Sequence, residues 1–294
     1  MRDQNQALKG GRTCIALAFD SAMFAQGCEC IKTILKNWDG NGTICVLSLG
    51  LTDAEGEWLR QKGVRIETNT GGIPVFPGAP RYALAMTCRP WLRDLFPEFD
   101  IYMWIDADVR LTSPEAIGFY RHNAAANSKA IVITQEVDPT YGFVRQPHIA
   151  RNYHQLKFKR MKATYGDQIA MALEYFYCFN AGVFAMHRDS LVWAAYQANV
   201  RNAIQTEFDH MKEQDAMNVA IFQTGQVCVA PAIMNWLCSI SFPAFDSKTS
   251  RWVRPSWPQL AIPILHLTNS NTVIPDNLQK MTYYQAYRLK GLTE

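Results

Sequence analysis

The sequence predicts an α/β protein built on a mostly parallel sheet with a more irregular second half. Apolar runs rich in β-branched residues alternate with helix-period segments through the first half, which is the pattern of βα units. Helix start and stop signals fall between those runs, as at Thr52 before an acidic first turn and Gly63 behind it. After residue 136 the alternation loosens into stretches rich in proline, glycine and tryptophan.

Taken in order, strands are expected at 14–19, 43–49, 64–68, 101–105 and 130–135. Ser21 is placed to cap a first helix over 21–38; a second covers 52–63 and a third 81–96. The stretch 136–166, with its two prolines, two glycines and the basic group Lys157, Lys159, Arg160 and Lys162, reads as a loop and short-helix insertion. A strand at 178–186, helices at 190–204 and 213–224, and a strand at 226–230 follow. The segment 237–263, with four prolines and two tryptophans, reads as irregular, ahead of a last strand at 264–268 and a closing helix at 276–290. No repeat interrupts this order, and one domain over 1–294 fits it.

With 48% hydrophobic and 19% charged residues, the chain has the composition of an ordinary soluble globular protein. A net charge of +3 calls for no nucleic acid partner. The first residues are polar, and no apolar stretch approaches the roughly 20 residues that span a bilayer. No targeting or transmembrane segment is therefore expected, which leaves only peripheral membrane contact open. The eight cysteines are scattered, several of them inside expected strands, which favours a reducing, cytoplasmic setting. Cys28 and Cys30 have no second pair at zinc-site spacing.

The chemistry concentrates in "DIYMWIDADVRL", residues 100–111. A strand buried on both faces ends in two carboxylates, Asp106 and Asp108, with Ala107 between them. Residues two apart on a strand face the same way, so the pair can converge on one point at the carboxyl end of a sheet, where α/β proteins bind ligands. Hard oxygen ligands with open positions suit Mg²⁺ or Mn²⁺ bridging to substrate phosphate. Two solvated or capping aspartates are the plain alternative.

Five islands, "FDSAMFAQG", "RPWLRDLFPEFDIYMWIDADV", "FNAGVFAM", "EQDAMNVAI" and "PILHLTNSN", occur in the order found in nucleotide-sugar glycosyltransferases of the A-type (GT-A) fold. The sequence most resembles their glycogenin-like, or family 8, branch, over about residues 13 to 270. The resemblance implies a Rossmann-like nucleotide-sugar half (1–136) and an acceptor-side half (137–294). It implies metal-dependent transfer of a hexose from a nucleoside diphosphate sugar, most simply a UDP-sugar, to a hydroxyl of a glycan, lipid-linked glycan or protein. By the same resemblance Asp106, Asp108 and His266 would hold Mn²⁺ or Mg²⁺. Phe19, Asp20, Ser21, Arg89, Asp106, Asn180, Ala181 and Gly182 would bind the donor, and Glu213, Gln214 and Asp215 would line the reacting sugar.

Each of these residues also has a structural reading. Asp20 can be a helix cap, Glu213 and Asp215 can serve a helix dipole, and Gly182 can mark a bend or a close backbone approach. Retention would follow if Gln214 only supports the anomeric face while the leaving phosphate takes the acceptor's proton. Inversion would need Glu213 or Asp215 as base. The family continues its metal histidine into Gly-x-x-Lys-Pro, whereas "HLTNSNTVIP" offers neither Gly nor Lys. Lys157, Lys159, Arg160 or Lys162 would then have to supply that charge as a lid, unless the basic run is a solvated face. Trp236, Trp252, Trp257 and Phe245 are candidates for stacking on an acceptor sugar. Two other functions compete. A sugar-1-phosphate nucleotidyltransferase should open with a Gly-rich, Arg-containing loop, which "FDSAMFAQG" does not supply. A non-catalytic sugar-nucleotide or carbohydrate-binding module would not need the full acidic and histidine set.

Overall fold

The first strand, β1 (Thr13–Phe19), is buried at every position, as its unbroken apolar run requires of a strand covered on both faces. The structure, a computed structural model, describes residues 12–38 and 40–268. A 3₁₀ turn capped by Asp20 follows β1, so the helix expected from Ser21 begins as α1 (Phe24–Asn37). Next come β2 (Thr43–Ser48), α2 (Asp53–Gln61) and β3 (Arg65–Glu67). Thr52 opens α2 with a capping box whose partner is Glu55, which satisfies two otherwise orphaned N–H groups.

The single helix expected over 81–96 is instead a run of short turns containing α3 (Leu84–Thr87) and α4 (Leu92–Leu95), because Pro90 has no N–H with which to continue a ladder. The chain then forms β4 (Ile101–Ile105), β5 (Val109–Leu111), α5 (Glu115–Ala126) and β6 (Ile131–Gln135). The basic insertion differs from its loop-like sequence. After α6 (Gly142–Arg145) it forms α7 (Pro147–Ala172), a 26-residue helix started by a proline and broken at Gly166, whose φ of 82° lies in the left-handed region.

The second half continues through β7 (Phe179–His187), α8 (Val192–Ala203), α9 (Lys212–Thr224) and β8 (Val227–Ala230). Gly225, at φ 64°, closes α9 in the left-handed conformation. The stretch expected to be irregular holds β9 (Trp236–Leu237) and an antiparallel hairpin of β10 (Ala244–Asp246) and β11 (Arg251–Val253), before β12 (Ile264–His266). The closing helix expected over 276–290 lies outside the described residues.

Seven strands form one mostly parallel sheet in the order β3-β2-β1-β4-β7-β6-β8, in which β7 runs antiparallel to both neighbours. That reversal brings the start of β7 to the edge where β1 and β4 end: Ile105 pairs with Val183, and Asp106 N–H donates to Gly182 O at 2.9 Å. A second sheet, β5-β12-β9, abuts the same edge and sets His266 opposite Val109, one residue past Asp108. Two sheets thus meet at the turn between β4 and β5.

Apolar clusters cover both faces of the main sheet, and a third packs around Trp236, Tyr141 and Trp252. Three of the four aromatic candidates for acceptor stacking belong to this third cluster: Trp236 and Trp252 are buried, and Phe245 packs against Trp252. Trp257 alone of the four is exposed, at 88%. None of the eight cysteines is joined in a disulfide, and seven of them are buried. Among the described residues no helix is long and apolar enough to cross a membrane.

Candidate active site

Asp106 and Asp108 leave the end of β4 into a tight turn closed by Val109 N–H donating to Asp106 O at 3.1 Å. The carboxylates face His266 from β12, whose Nε2 lies 3.7 Å from Asp106 Oδ2 and 3.4 Å from Asp108 Oδ1. One ligand atom from each of the three side chains falls within 4.8 Å of the others. Burial alone would lower the His266 pKa, but the Asp108 charge and hydrogen bond raise it. Burial would likewise raise Asp108, and His266 outweighs it, holding that carboxyl below its usual range. Two acids and an imidazole arranged this way need a positive charge among them, which either a proton or a divalent cation can supply.

Gly182 is required by this packing. A Cβ placed there would lie 2.8 Å from His266 Nδ1, 2.9 Å from Asp106 Oδ2 and closer still to His266 Cε1. The close approach expected at this glycine is made by side chains of the protein's own Asp-Asp-His group.

Arg89, 7% exposed, ties the acids to the neighbouring site. Its Nη2 donates to Asp106 Oδ1 at 2.7 Å, beside Trp104 Nε1 at 2.7 Å, and its Nη1 donates to Glu213 Oε2. Arg89 Nε is buried without a hydrogen-bond partner among the described residues. Glu213 also accepts from Tyr196 Oη, and burial, opposed by Arg89, pushes its carboxyl up to about 7.

Glu213, Gln214 and Asp215 occupy the first turn of α9 and are all buried. Arg160 of α7 grips Asp215 with both Nε (2.8 Å, to Oδ2) and Nη2 (3.1 Å, to Oδ1). Burial raises Asp215 despite that partner. The basic run is therefore divided. Lys157 is 1% exposed and donates to Phe176 O, Arg160 is committed to Asp215, and Lys159 and Lys162 face solvent.

Gln214 Oε1 accepts from Ala181 N at 3.1 Å, and its Nε2 donates to Glu136 Oε1 at 3.0 Å. Asn180 Nδ2 donates to that same oxygen at 2.9 Å. Burial lifts the Glu136 carboxyl. Sequence reasoning missed Glu136, Tyr196 and Asn235. Glu136 could have been found as an acid closing an apolar strand, the signal that found Asp106. Asn235 ends a 3₁₀ turn (Ala232–Asn235), a position without any sequence signal.

Phe19, Asp20 and Ser21 lie at the carboxyl end of β1, the strand beside β4, and so share the sheet edge with the acids. Their observed bonds stay within the protein and tie the end of β1 to its own turn and to α2. Asp20 Oδ1 accepts from Met23 N at 3.1 Å, Ser21 Oγ lies 2.5 Å from Glu55 Oε2, and the Phe19 ring fills the space beside Gly27.

No family model matches the chain, and no curated protein matches it either. Its fold is that of solved glycosyltransferases of the GT-A type. The WbbM bifunctional glycosyltransferase aligns with a TM-score of 0.59 at 12% identity, covering 97% of this chain and 52% of that one, so the chain spans about half of WbbM. The galactosyltransferase LgtC, in complex with donor and acceptor sugar analogues, aligns with a TM-score of 0.54 at 15% identity over 95% of this chain and 94% of its own. Mouse xyloside xylosyltransferase 1 aligns with a TM-score of 0.54 at 12% identity over 90% of this chain and 99% of its own.

Proposed function

We propose that this chain is a metal-dependent glycosyltransferase that moves a hexose from a nucleoside diphosphate sugar, read here as a UDP-sugar, to an acceptor hydroxyl. One observation carries the reading: Asp106, Asp108 and His266 converge at the carboxyl edge of the sheet, and Arg89 joins Asp106 directly to the buried Glu213 of α9. The shared fold supports it, as does LgtC, whose structure was solved with donor and acceptor sugar analogues bound. The glycogenin-like branch is the placement that the sequence islands favour.

The donor set fits a divalent ion. His266 Nδ1 is engaged by Asn235 Oδ1 at 3.0 Å, which leaves Nε2 toward two carboxylates, a mixed oxygen and imidazole set suited to Mn²⁺ and, with less nitrogen preference, Mg²⁺. When bound, the ion would supply positive charge against the departing diphosphate. The remaining work falls to side chains. Arg89 would add a fixed guanidinium charge near the phosphates. Asp20 and Ser21 would hold the ribose and base. Asn180, Ala181 and Gly182 would border the sugar, with Gln214 beneath its anomeric carbon.

The pairing of the acids supports retention over inversion. Both oxygens of Asp215 accept from Arg160, and both of Glu213 are taken by Arg89 and Tyr196, so neither has an unengaged oxygen for an acceptor proton. The leaving phosphate is then the base at hand. One of the structural neighbours is LgtC with an active-site glutamine replaced by glutamate, which suggests an analogous role for Gln214.

The test is incubation with Mn²⁺ and a panel of nucleoside diphosphate sugars, following donor hydrolysis without acceptor. One donor should be hydrolysed, and Asp108→Ala should slow that by about a hundredfold or more. Hydrolysis unchanged in Asp108→Ala, or no donor either bound or cleaved, overturns the reading.

A further inference from the structure

We propose that Asn235 is a positioning residue for His266: its carbonyl oxygen accepts from Nδ1–H and so fixes the ring with Nε2 turned to Asp106, Asp108 and the metal they would share. The inference rests on the metal reading above and assigns a role to a residue that touches neither acid nor any expected substrate.

The polarity of the contact follows from groups whose roles are fixed. Gly182 N–H is a backbone donor and can only donate, and it donates to Asn180 Oδ1 at 3.0 Å. The Asn180 carbonyl oxygen therefore faces Gly182, and its amide nitrogen donates to Glu136 Oε1 at 2.9 Å. Asn235 lies 2.9 Å from that same Asn180 oxygen and must present its own NH₂ there. Its carbonyl oxygen is then the atom turned to His266 Nδ1 at 3.0 Å, and an oxygen acceptor requires a proton on that nitrogen.

Every member of this chain is buried: Asn235 is 1% exposed, His266 5%, Glu136 6% and Asn180 8%. Flipping any one amide would set two donors or two acceptors face to face away from water, at a cost of about 1–3 kcal/mol each. At its far end the chain reaches Gln214, which donates to the same Glu136 oxygen. The metal imidazole and the glutamine of α9 thus take their orientation from one connected network.

The experiment compares the full chain with Asn235→Leu and Asn235→Asp. Ring ¹⁵N shifts of His266, assigned against His266→Gln, report whether Nδ1 carries a hydrogen-bonded proton, and paramagnetic resonance of free Mn²⁺ reports affinity. The native chain should show that proton on Nδ1. Asn235→Leu, which has no acceptor, should lose the hydrogen bond and bind Mn²⁺ about 10- to 100-fold more weakly. Asn235→Asp, which keeps an acceptor oxygen for Nδ1 but sets a second one against Asn180 Oδ1, should retain the Nδ1–H bond and bind Mn²⁺ more tightly than Asn235→Leu.

A folded Asn235→Leu with unchanged Mn²⁺ affinity removes the role of Asn235. If the leucine variant does not fold, a native His266 whose Nδ1 carries no hydrogen-bonded proton removes it instead. A native chain with that proton that binds no Mn²⁺ overturns the metal reading itself, and with it the purpose given to Asn235.

Discussion

A single methyl group tests how tightly the acidic site is packed. Gly182 sits in a buried strand without a positive φ, so its backbone would accept alanine, and the obstacle is purely the neighbouring side chains of His266 and Asp106. Gly182→Ala must push the imidazole away from the carboxylates or bend β7. We expect a loss of about 1–3 kcal/mol in urea unfolding, together with weaker Mn²⁺ binding. Full stability with native Mn²⁺ affinity would mean that the three groups are not held as a unit. The glycine was legible in the sequence as a point of close approach. What approaches it was not, because His266 arrives through a second sheet whose pairing no local pattern encodes.

At the scale of elements, α7 was the least legible, for a physical reason. It faces the body of the protein with Lys157, Arg160 and Met161, so charged residues occupy positions that a helix pattern reserves for apolar ones, and the period disappears. Those charges can be buried because α9 presents Asp215 to Arg160 and because Phe176 O accepts from Lys157. By contrast α2, with its capping box and a solvent-facing polar side, was readable residue by residue. Arg160→Met should leave Asp215 buried without its partner and cost about 3–5 kcal/mol in urea unfolding at pH 7, limited by how readily Asp215 takes up a proton. Lys159→Met, on the exposed side, should stay within about 0.5 kcal/mol. Adding Asp215→Leu to Arg160→Met should recover most of the loss, because the unpaired charge is then gone. Equal effects at 159 and 160 would contradict the helix-to-helix clamp.

For the whole molecule, alternation of strands and helices was enough to predict the mostly parallel sheet, but not the reversal of β7, since a buried strand reads the same in either direction. That reversal collects Asn180, Ala181 and Gly182 beside Asp106 and leaves Glu136, Glu213 and Asp215 together in the interior. Burial raises all three acids, so between the ordinary carboxylate range and their raised values the folded chain binds more protons than the unfolded one. Their contribution to stability is therefore lost as pH rises. Asp108, held low by His266, acts in the opposite sense, but only at pH values below the usual Asp range. For Glu213, whose carboxyl moves from 4.5 to about 7, the window lies between those two values. Glu213→Gln removes this one titration, so its stability relative to the native chain should improve by about 2–3 kcal/mol between pH 5 and pH 8, whatever constant offset the lost carboxylate causes. Urea unfolding at the two pH values measures that difference. A difference that stays flat or reverses would mean that Arg89 and Tyr196 keep Glu213 ionised throughout, and the acid would then stand beside the proposed sugar site as a fixed negative charge.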